Sequence, residues 1–466
     1  MAYHTFTSNT IFREYDIRGV FNQTLKEEDA YFIGINFTLS IGKKNPTIIL
    51  ARDGRNSSPL LHQAVIKGII AAGGDIIDIG VFPTPVMYFA NHYIESDAGI
   101  MITGSHNPPD HNGFKMVKNK KALHGSEIKA LANIDFTPPN RQGLLLEVNI
   151  AKLENAYINH ISSALTNIRP LKIAWDPANG AACDILTKIV GRLQGAHILI
   201  NAKIDGNFPS HPADPTIAEN LEQLIAVVKE QKCDLGIAFD GDGDRLGVVD
   251  AKGRILYGDH LLTIFAREIL QTNPGSIIIA DVKTGNHFFD EVKKHQGIPL
   301  MWKTGHSLIK AKMAETGAIL AGEMSGHIFF ADNFGYDDGI YAAVRLINIL
   351  SNYDINLTTI YDNFPKSFAS QEIRFECLES EKDLIINHIK TLIKASYPTT
   401  AINEIDGIRL TTEDGWLLFR ASNTQNIIVS RVEASDQAGL DILQSKLDYY
   451  LDSISSGFGN LISELE

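Results

Sequence analysis

The chain has 466 residues, 44 % hydrophobic and 21 % charged, which is the profile of a soluble globular protein too long for a single core. Its formal net charge is -13 with no basic run, which argues against nucleic acid as a partner and requires any anionic ligand to be met by local cations. No apolar run approaches the ~20 residues that span a bilayer. The three scattered cysteines, Cys183, Cys233 and Cys377, make neither a metal spacing nor a disulfide framework, so a cytoplasmic protein without a membrane partner is expected.

The N-terminal "MAYHTFTSNTIFREYD" lacks the basic start and apolar core of a signal peptide. Strand and helix patterns then alternate: "TIILARDGR" as strand and turn, "PLLHQAVIKGIIAAGG" as a helix ended by glycines, "DIIDIG" as a strand. "PTPVMYFANHY" reads as a helix with Pro in its first turn and leads to the buried strand "DAGIMIT". The pattern restarts after "DFTPPNRQG" and again near Gly253, giving three α/β units of comparable size with mostly parallel sheets. From about Ser367 the texture becomes antiparallel sheet with flanking helices, a smaller α+β unit. The expected domains are residues 1–150, 151–252, 253–366 and 367–466. No coiled-coil repeat or apolar stripe is present, so a monomer is expected.

Five short stretches carry chemistry. In "ITGSHNPPDHNGFK", Gly104 and the Asn-Pro-Pro turn end a strand and forbid a helix, which leaves Ser105 and His106 on a shaped loop. Ser105 is outside a G-x-S-x-G elbow, so a serine hydrolase is a poor match, whereas a serine near a metal and basic groups suits a phosphate carrier. "FDGDGDR" places Asp240, Asp242 and Asp244 after a buried strand, with glycines that let the backbone curl until alternate carboxylates converge on one cation. Hard oxygens in this number suit Mg²⁺. An EF-hand loop would need Gly at Arg245 and Glu at Ala251, so that rival fails. "AGEMSGH" alternates Glu323 and Ser325 along an expected extended segment, apt for paired sugar hydroxyls, although an ordinary polar turn has the same composition. "RASNTQN" between two strands gathers Arg420, Ser422, Asn423 and Thr424 as a phosphate cradle or a hairpin turn, and "WKTGHS" puts Lys303 and His306 at a helix start.

In order and spacing, "FREYDIRG", "TGSHNP", "DGDGDR", "GEMSGH" and "RASNT" resemble the α-D-phosphohexomutase superfamily, most closely its bacterial phosphomannomutase/phosphoglucomutase branch, over nearly the whole chain. The resemblance implies a four-domain α/β architecture. It also implies a reversible phosphoryl shift between C1 and C6 of mannose or glucose phosphates. Ser105 would carry the phosphate, Mg²⁺ would be held by Asp240, Asp242, Asp244 and an oxygen at Ser105, and a hexose 1,6-bisphosphate would be intermediate and activator. By the same resemblance Arg18, His106, Lys115 and Arg245 surround the reacting phosphate, with Lys115 or His327 as general acid or base. The phosphohexose would be met by Tyr15, Arg18, Lys283, His306, Glu323, Met324, Ser325, Gly326, His327, Arg420, Ala421, Ser422, Asn423 and Thr424. Ala421 stands where many members have Pro, Gln425-Asn426 replace an acidic-Pro pair, and Lys283 is followed by Thr where a Cys or Ser is more usual. Phosphoglucosamine mutase is an alternative, which Met324 disfavours because that branch usually has Gln there. A non-catalytic phosphosugar-binding protein is an alternative of another class.

Overall fold

A computed structural model describes residues 5–166, 169–370, 372–422 and 426–462. Four sheets follow one another along the chain. In the first, Thr47–Arg52 lies between Asp75–Val81 and Ala98–Ile102, parallel to both, while His111–Lys118 and Ile17–Val20 extend it antiparallel. In the second, Leu171–Asp176 pairs in parallel with Gly195–Leu199 and Leu235–Phe239, and Leu246–Asp250 turns back antiparallel. The third repeats that plan: Ile277–Asp281 between Ile298–Trp302 and Leu320–Gly322, all parallel, with Ile328–Phe330 antiparallel. The fourth is antiparallel throughout, built on Ile408–Thr412, Gly415–Ala421 and Ile427–Ala434. Three similar mixed-sheet α/β domains and a smaller α+β domain are therefore observed.

The central strands are apolar on both faces because helices cover both sides of each parallel sheet. Leu235–Phe239 is buried at every position, as is Ala98–Ile102. One continuous core runs through the first three domains, from Ile49 through Trp175 and Phe265 to Phe364. The fourth domain has its own core, including Ile389, Phe419, Leu443 and Ile454. Its apolar contact with the third is a small patch of Val282, Trp416 and Leu418. Met301 and Ile405 edge that patch, and beside it Arg409 donates from Nη1 to the carbonyls of Val282 and Thr284 at 2.6 and 2.7 Å and stacks over Trp416.

In open α/β sheets, loops at the carboxyl ends of parallel strands form ligand crevices. Ser105 follows Ala98–Ile102, Asp240 follows Leu235–Phe239, and Glu323 follows Leu320–Gly322. The topology thus puts the three sequence motifs on equivalent edges.

Candidate active site

Ser105 is buried and adopts a left-handed backbone, φ 50°. Its Oγ donates to Asp240 Oδ2 at 2.7 Å and lies 3.3 Å from His106 Nδ1. Two loops from different domains can come this close because residue 241 is glycine: a Cβ there would sit 2.4 Å from the Ser105 carbonyl oxygen. Arg55, fully buried, holds the serine loop from behind. Its Nη2 donates to the carbonyls of Ser105 and Asn107, both at 2.6 Å, and its Nη1 to those of Pro108 and His111. Asp53 fixes Arg55 at 3.1 Å and accepts from the backbone of Gly104 at 3.2 Å.

Asp240, Asp242 and Asp244 are all buried, and ligand oxygens from the three lie within 4.8 Å of one another. Asp240 Oδ1 accepts from the backbone N–H groups of Gly243, Asp244 and Arg245 at 3.0–3.2 Å, so the curled loop itself orients this carboxylate. Lys115 Nζ reaches Asp242 at 2.6 Å and Asp244 at 2.5 Å, and Thr84 Oγ1 donates to Asp242 at 2.5 Å. Asp242 Oδ1 and Asp244 Oδ1 are buried with no hydrogen-bond partner among the described residues. Leaving buried carboxylate oxygens unpaired is costly unless a cation meets them, and an all-oxygen set of this kind fits a hard divalent ion.

The electrostatics agree. Burial, then repulsion from Asp242 and Asp244, pushes the Asp240 carboxyl well above its ordinary range. Burial would raise Asp242 as well, but Lys115 and Thr84 outweigh it and hold that carboxyl below. Burial alone would lower Lys115; Asp242 and Asp244 reverse the sign and raise it well above its ordinary value. His106 is pushed well down by burial and by the neighbouring Arg245 and Arg18.

A second cluster joins this one. Arg245 Nε donates to His327 Nε2 at 3.1 Å. His327 Nδ1 lies 2.9 Å from Asp337 and 3.5 Å from Asp244, and its ring stacks on His306 at 5.6 Å between centroids. Lys310 links Asp337, Tyr88 and His306 at 2.8–3.1 Å. Glu323 accepts from the Gly305 backbone N–H and, at 3.0 Å, from Ser325. These two residues lie in a turn closed by Gly326 N donating to the Glu323 carbonyl at 3.0 Å, not on the extended segment that alternation suggested. The glycine at 326, at φ 87°, makes the turn possible. The Met324 backbone N–H donates to Asp281 at 3.3 Å.

The outer ring completes the crevice. Tyr15 OH donates to the Thr304 carbonyl at 2.5 Å, and Arg18 pairs with Asp16 at 2.5 Å. Arg420 Nε and the Thr304 backbone N–H share Asp406 Oδ2, at 3.0 and 3.1 Å, tying the fourth domain to the third. Lys283 lies 3.5 Å from Glu372 on the same seam. Ala421 ends its strand, and the Ser422 carbonyl accepts from Lys382 at 2.8 Å. Asn423 and Thr424 lie outside the described residues. Lys303 is exposed, whereas His306 is buried at its helix start. Sequence reasoning missed Asp53, Arg55, Thr84, Asp281, Lys310, Asp337 and Asp406; the one signal was the charged turn "ARDGR" at a strand's end.

Four domains in series meet over a serine that faces a buried acidic triplet, an arrangement suited to holding a phosphate beside a divalent cation. Comparison with known proteins identifies the family. Models of the phosphoglucomutase/phosphomannomutase α/β/α domains I, II and III match residues 9–136, 155–253 and 257–368, and that of the C-terminal domain matches 372–448. The chain is 43 % identical over 440 residues to a phosphomannomutase/phosphoglucomutase of Pseudomonas syringae pv. tomato, covering 94 % of each. It is 41 % identical over 451 residues to a phosphoglucomutase of Neisseria gonorrhoeae, covering 95 % of this chain and 97 % of that one. A crystal structure of a phosphoglucomutase/phosphomannomutase family protein from Burkholderia thailandensis matches with a TM-score of 0.88 at 38 % identity, over 97 % of this chain and 98 % of that one. The chain belongs to the phosphoglucomutase/phosphomannomutase family, and its activity is hexose phosphate mutase. Among the described residues no helix is long and apolar enough to cross a membrane.

Proposed function

We propose that the chain interconverts the 1- and 6-phosphates of mannose and glucose, with Ser105 as the phosphoryl carrier. The observation that supports this most directly is the 2.7 Å contact between Ser105 Oγ and Asp240, across a glycine that permits it. Asp240, Asp242 and Asp244 would hold Mg²⁺, which when bound neutralises charge on the transferring phosphate. Arg245, Lys115 and Arg18 would balance the remaining negative charge around Ser105, with His106 a neutral hydrogen-bonding neighbour of the reacting phosphate. A phosphate donated to the sugar's free hydroxyl gives a hexose 1,6-bisphosphate, whose other phosphate then returns to Ser105.

His327, held by Asp337 and touching Arg245, is in position to pass a proton to or from the reacting hydroxyl; Lys115 is the other candidate. Glu323 and Ser325 would grip sugar hydroxyls. The non-reacting phosphate would lie on Arg420, Ser422, Asn423 and Thr424, with Tyr15, Lys283 and His306 around it. Met324 favours mannose and glucose phosphates over glucosamine phosphate. The working form is a monomer in the cytoplasm.

Intact mass of the purified chain after exposure to glucose 1,6-bisphosphate tests the carrier. One phosphate adduct mapped to Ser105 is the expected result, and an adduct elsewhere would sink the assignment. Turnover of mannose 1-phosphate and glucose 1-phosphate well above that of glucosamine 1-phosphate checks the specificity.

A further inference from the structure

On the seam between the third and fourth domains lies a group of side chains that phosphoryl transfer does not use. Asp259 and His260 open the helix Gly258–Thr272, and His287 is in the first turn of Asn286–Lys294. A carboxylate oxygen and one nitrogen from each ring lie within 4.8 Å of one another. His260 Nδ1 is 3.2 Å from Asp259 Oδ1, and His287 Nε2 is 4.0 Å from Asp259 Oδ2. Both nitrogens are buried, and neither has a hydrogen-bond partner among the described residues. The His287 side chain is only 8 % exposed, so water does little to satisfy it.

We propose that Asp259, His260 and His287 form a second metal site, for a first-row divalent ion of the zinc class. Two imidazoles and one carboxylate are zinc-type donors, unlike the all-oxygen triplet beside Ser105. A tetrahedral set with bonds near 2 Å needs donors roughly 3.3 Å apart; His260 Nδ1 is at that distance from Asp259, and His287 Nε2, at 4.0 Å, would have to move closer. The surroundings suit a bound cation. Tyr361 stacks on His260 at 5.4 Å, and Phe364 packs edge-on to His260 at 5.0 Å and to His287 at 6.1 Å, giving the apolar wall such sites have. Glu433, from the fourth domain, approaches the same place: a Cβ on Gly285 would lie 2.6 Å from Glu433 Oε1 and 2.7 Å from His287 Nδ1. Asp259 and Glu433 bring two negative charges, and Arg431, 3.1 Å from Glu433, and Arg409 offset them.

Zinc binding is measured by equilibrium dialysis on the full chain carrying Asp240→Asn, Asp242→Asn and Asp244→Asn, which disables both the acidic triplet and the neighbouring group of Asp244, His327 and Asp337. One equivalent of Zn²⁺ is expected, together with an intense tetrahedral-type visible spectrum on adding Co²⁺. Adding His260→Gln or His287→Gln should weaken Zn²⁺ by at least ~100-fold, more than loss of an orienting partner costs, with circular dichroism unchanged. No zinc on the triplet-disabled chain, or undiminished zinc in both histidine variants, overturns the site. A weak octahedral-type Co²⁺ spectrum also overturns it, and that readout needs no histidine variant.

Discussion

Ser105 sits at φ 50°, a backbone region that costs a non-glycine residue of order 1 kcal/mol. Arg55 holds it there by collecting four loop carbonyls. Arg55→Lys keeps the charge but loses the planar fork, so we expect kcat to fall ~100-fold with little change in KM, as misplacement of a reacting group by about 1 Å does. Steady-state kinetics check this, and an equal loss in both constants would point to substrate binding instead. Ser105→Ala should abolish turnover while calorimetry still detects hexose phosphate binding within a few-fold; surviving turnover would rule out a covalent route. The charged turn marked Arg55, but its role was hidden because its partner, the Ser105 carbonyl, is 50 residues away and is a backbone group that any residue supplies. The aspartates were legible because three acids in five residues, spaced by glycine and preceded by a buried strand, have few other uses.

Asp338 makes a separate residue-scale prediction. It caps the helix Gly339–Asn352, accepting from the Tyr341 N–H at 2.9 Å and from Tyr157 OH at 3.0 Å. Burial, outweighing those hydrogen bonds, lifts its carboxyl from 3.8 to about 7. A folded-state value above the unfolded one contributes stability that is complete below about pH 4 and lost as pH rises through about 7. Asn caps as well as Asp, so Asp338→Asn should gain on the wild type between pH 5 and pH 8 by ~2–3 kcal/mol. Thermal melts at the two pH values decide it, and an unchanged pH slope in the variant would count against this reading.

At the scale of elements, the close approach of the serine loop and the acidic loop hinges on Gly241. A methyl group there meets backbone rather than a flexible side chain. Gly241→Ala should therefore destabilise by ~1–3 kcal/mol and depress kcat/KM by ~100-fold or more, since both loops must part. Calorimetry and kinetics on one preparation test it; full activity would mean the loops tolerate separation. The strands and helices themselves were readable from periodicity, since central strands such as Leu235–Phe239 are buried throughout and bounded by turn residues. The turn at Glu323–Gly326 was misread because alternation of polar residues looks the same in a strand and in a tight turn. The Gly326 N–H to Glu323 carbonyl hydrogen bond and the positive φ of Gly326 distinguish them.

At the scale of the molecule, four domains were visible as two restarts of one pattern and a change of texture. The convergence of their loops was not, because the contacts that bring it about are single long-range pairs such as Thr304–Asp406 and Arg245–His327. Arg409 is the main polar tie of the fourth domain, and Arg409→Ala strands two buried carbonyls at ~1–3 kcal/mol for the unmet groups. Faster amide exchange in 277–286 and 408–421, with a KM for hexose phosphate raised ~10-fold, is the expected outcome; unaltered exchange would show that the domain is held elsewhere. The fourth domain keeps its greasy residues to itself and meets its neighbour across little more than Val282, Trp416 and Leu418. Swinging it outward therefore bares only a small water-averse area. An enzyme waiting ajar for its cargo would thus offer the crowd around it little to stick to.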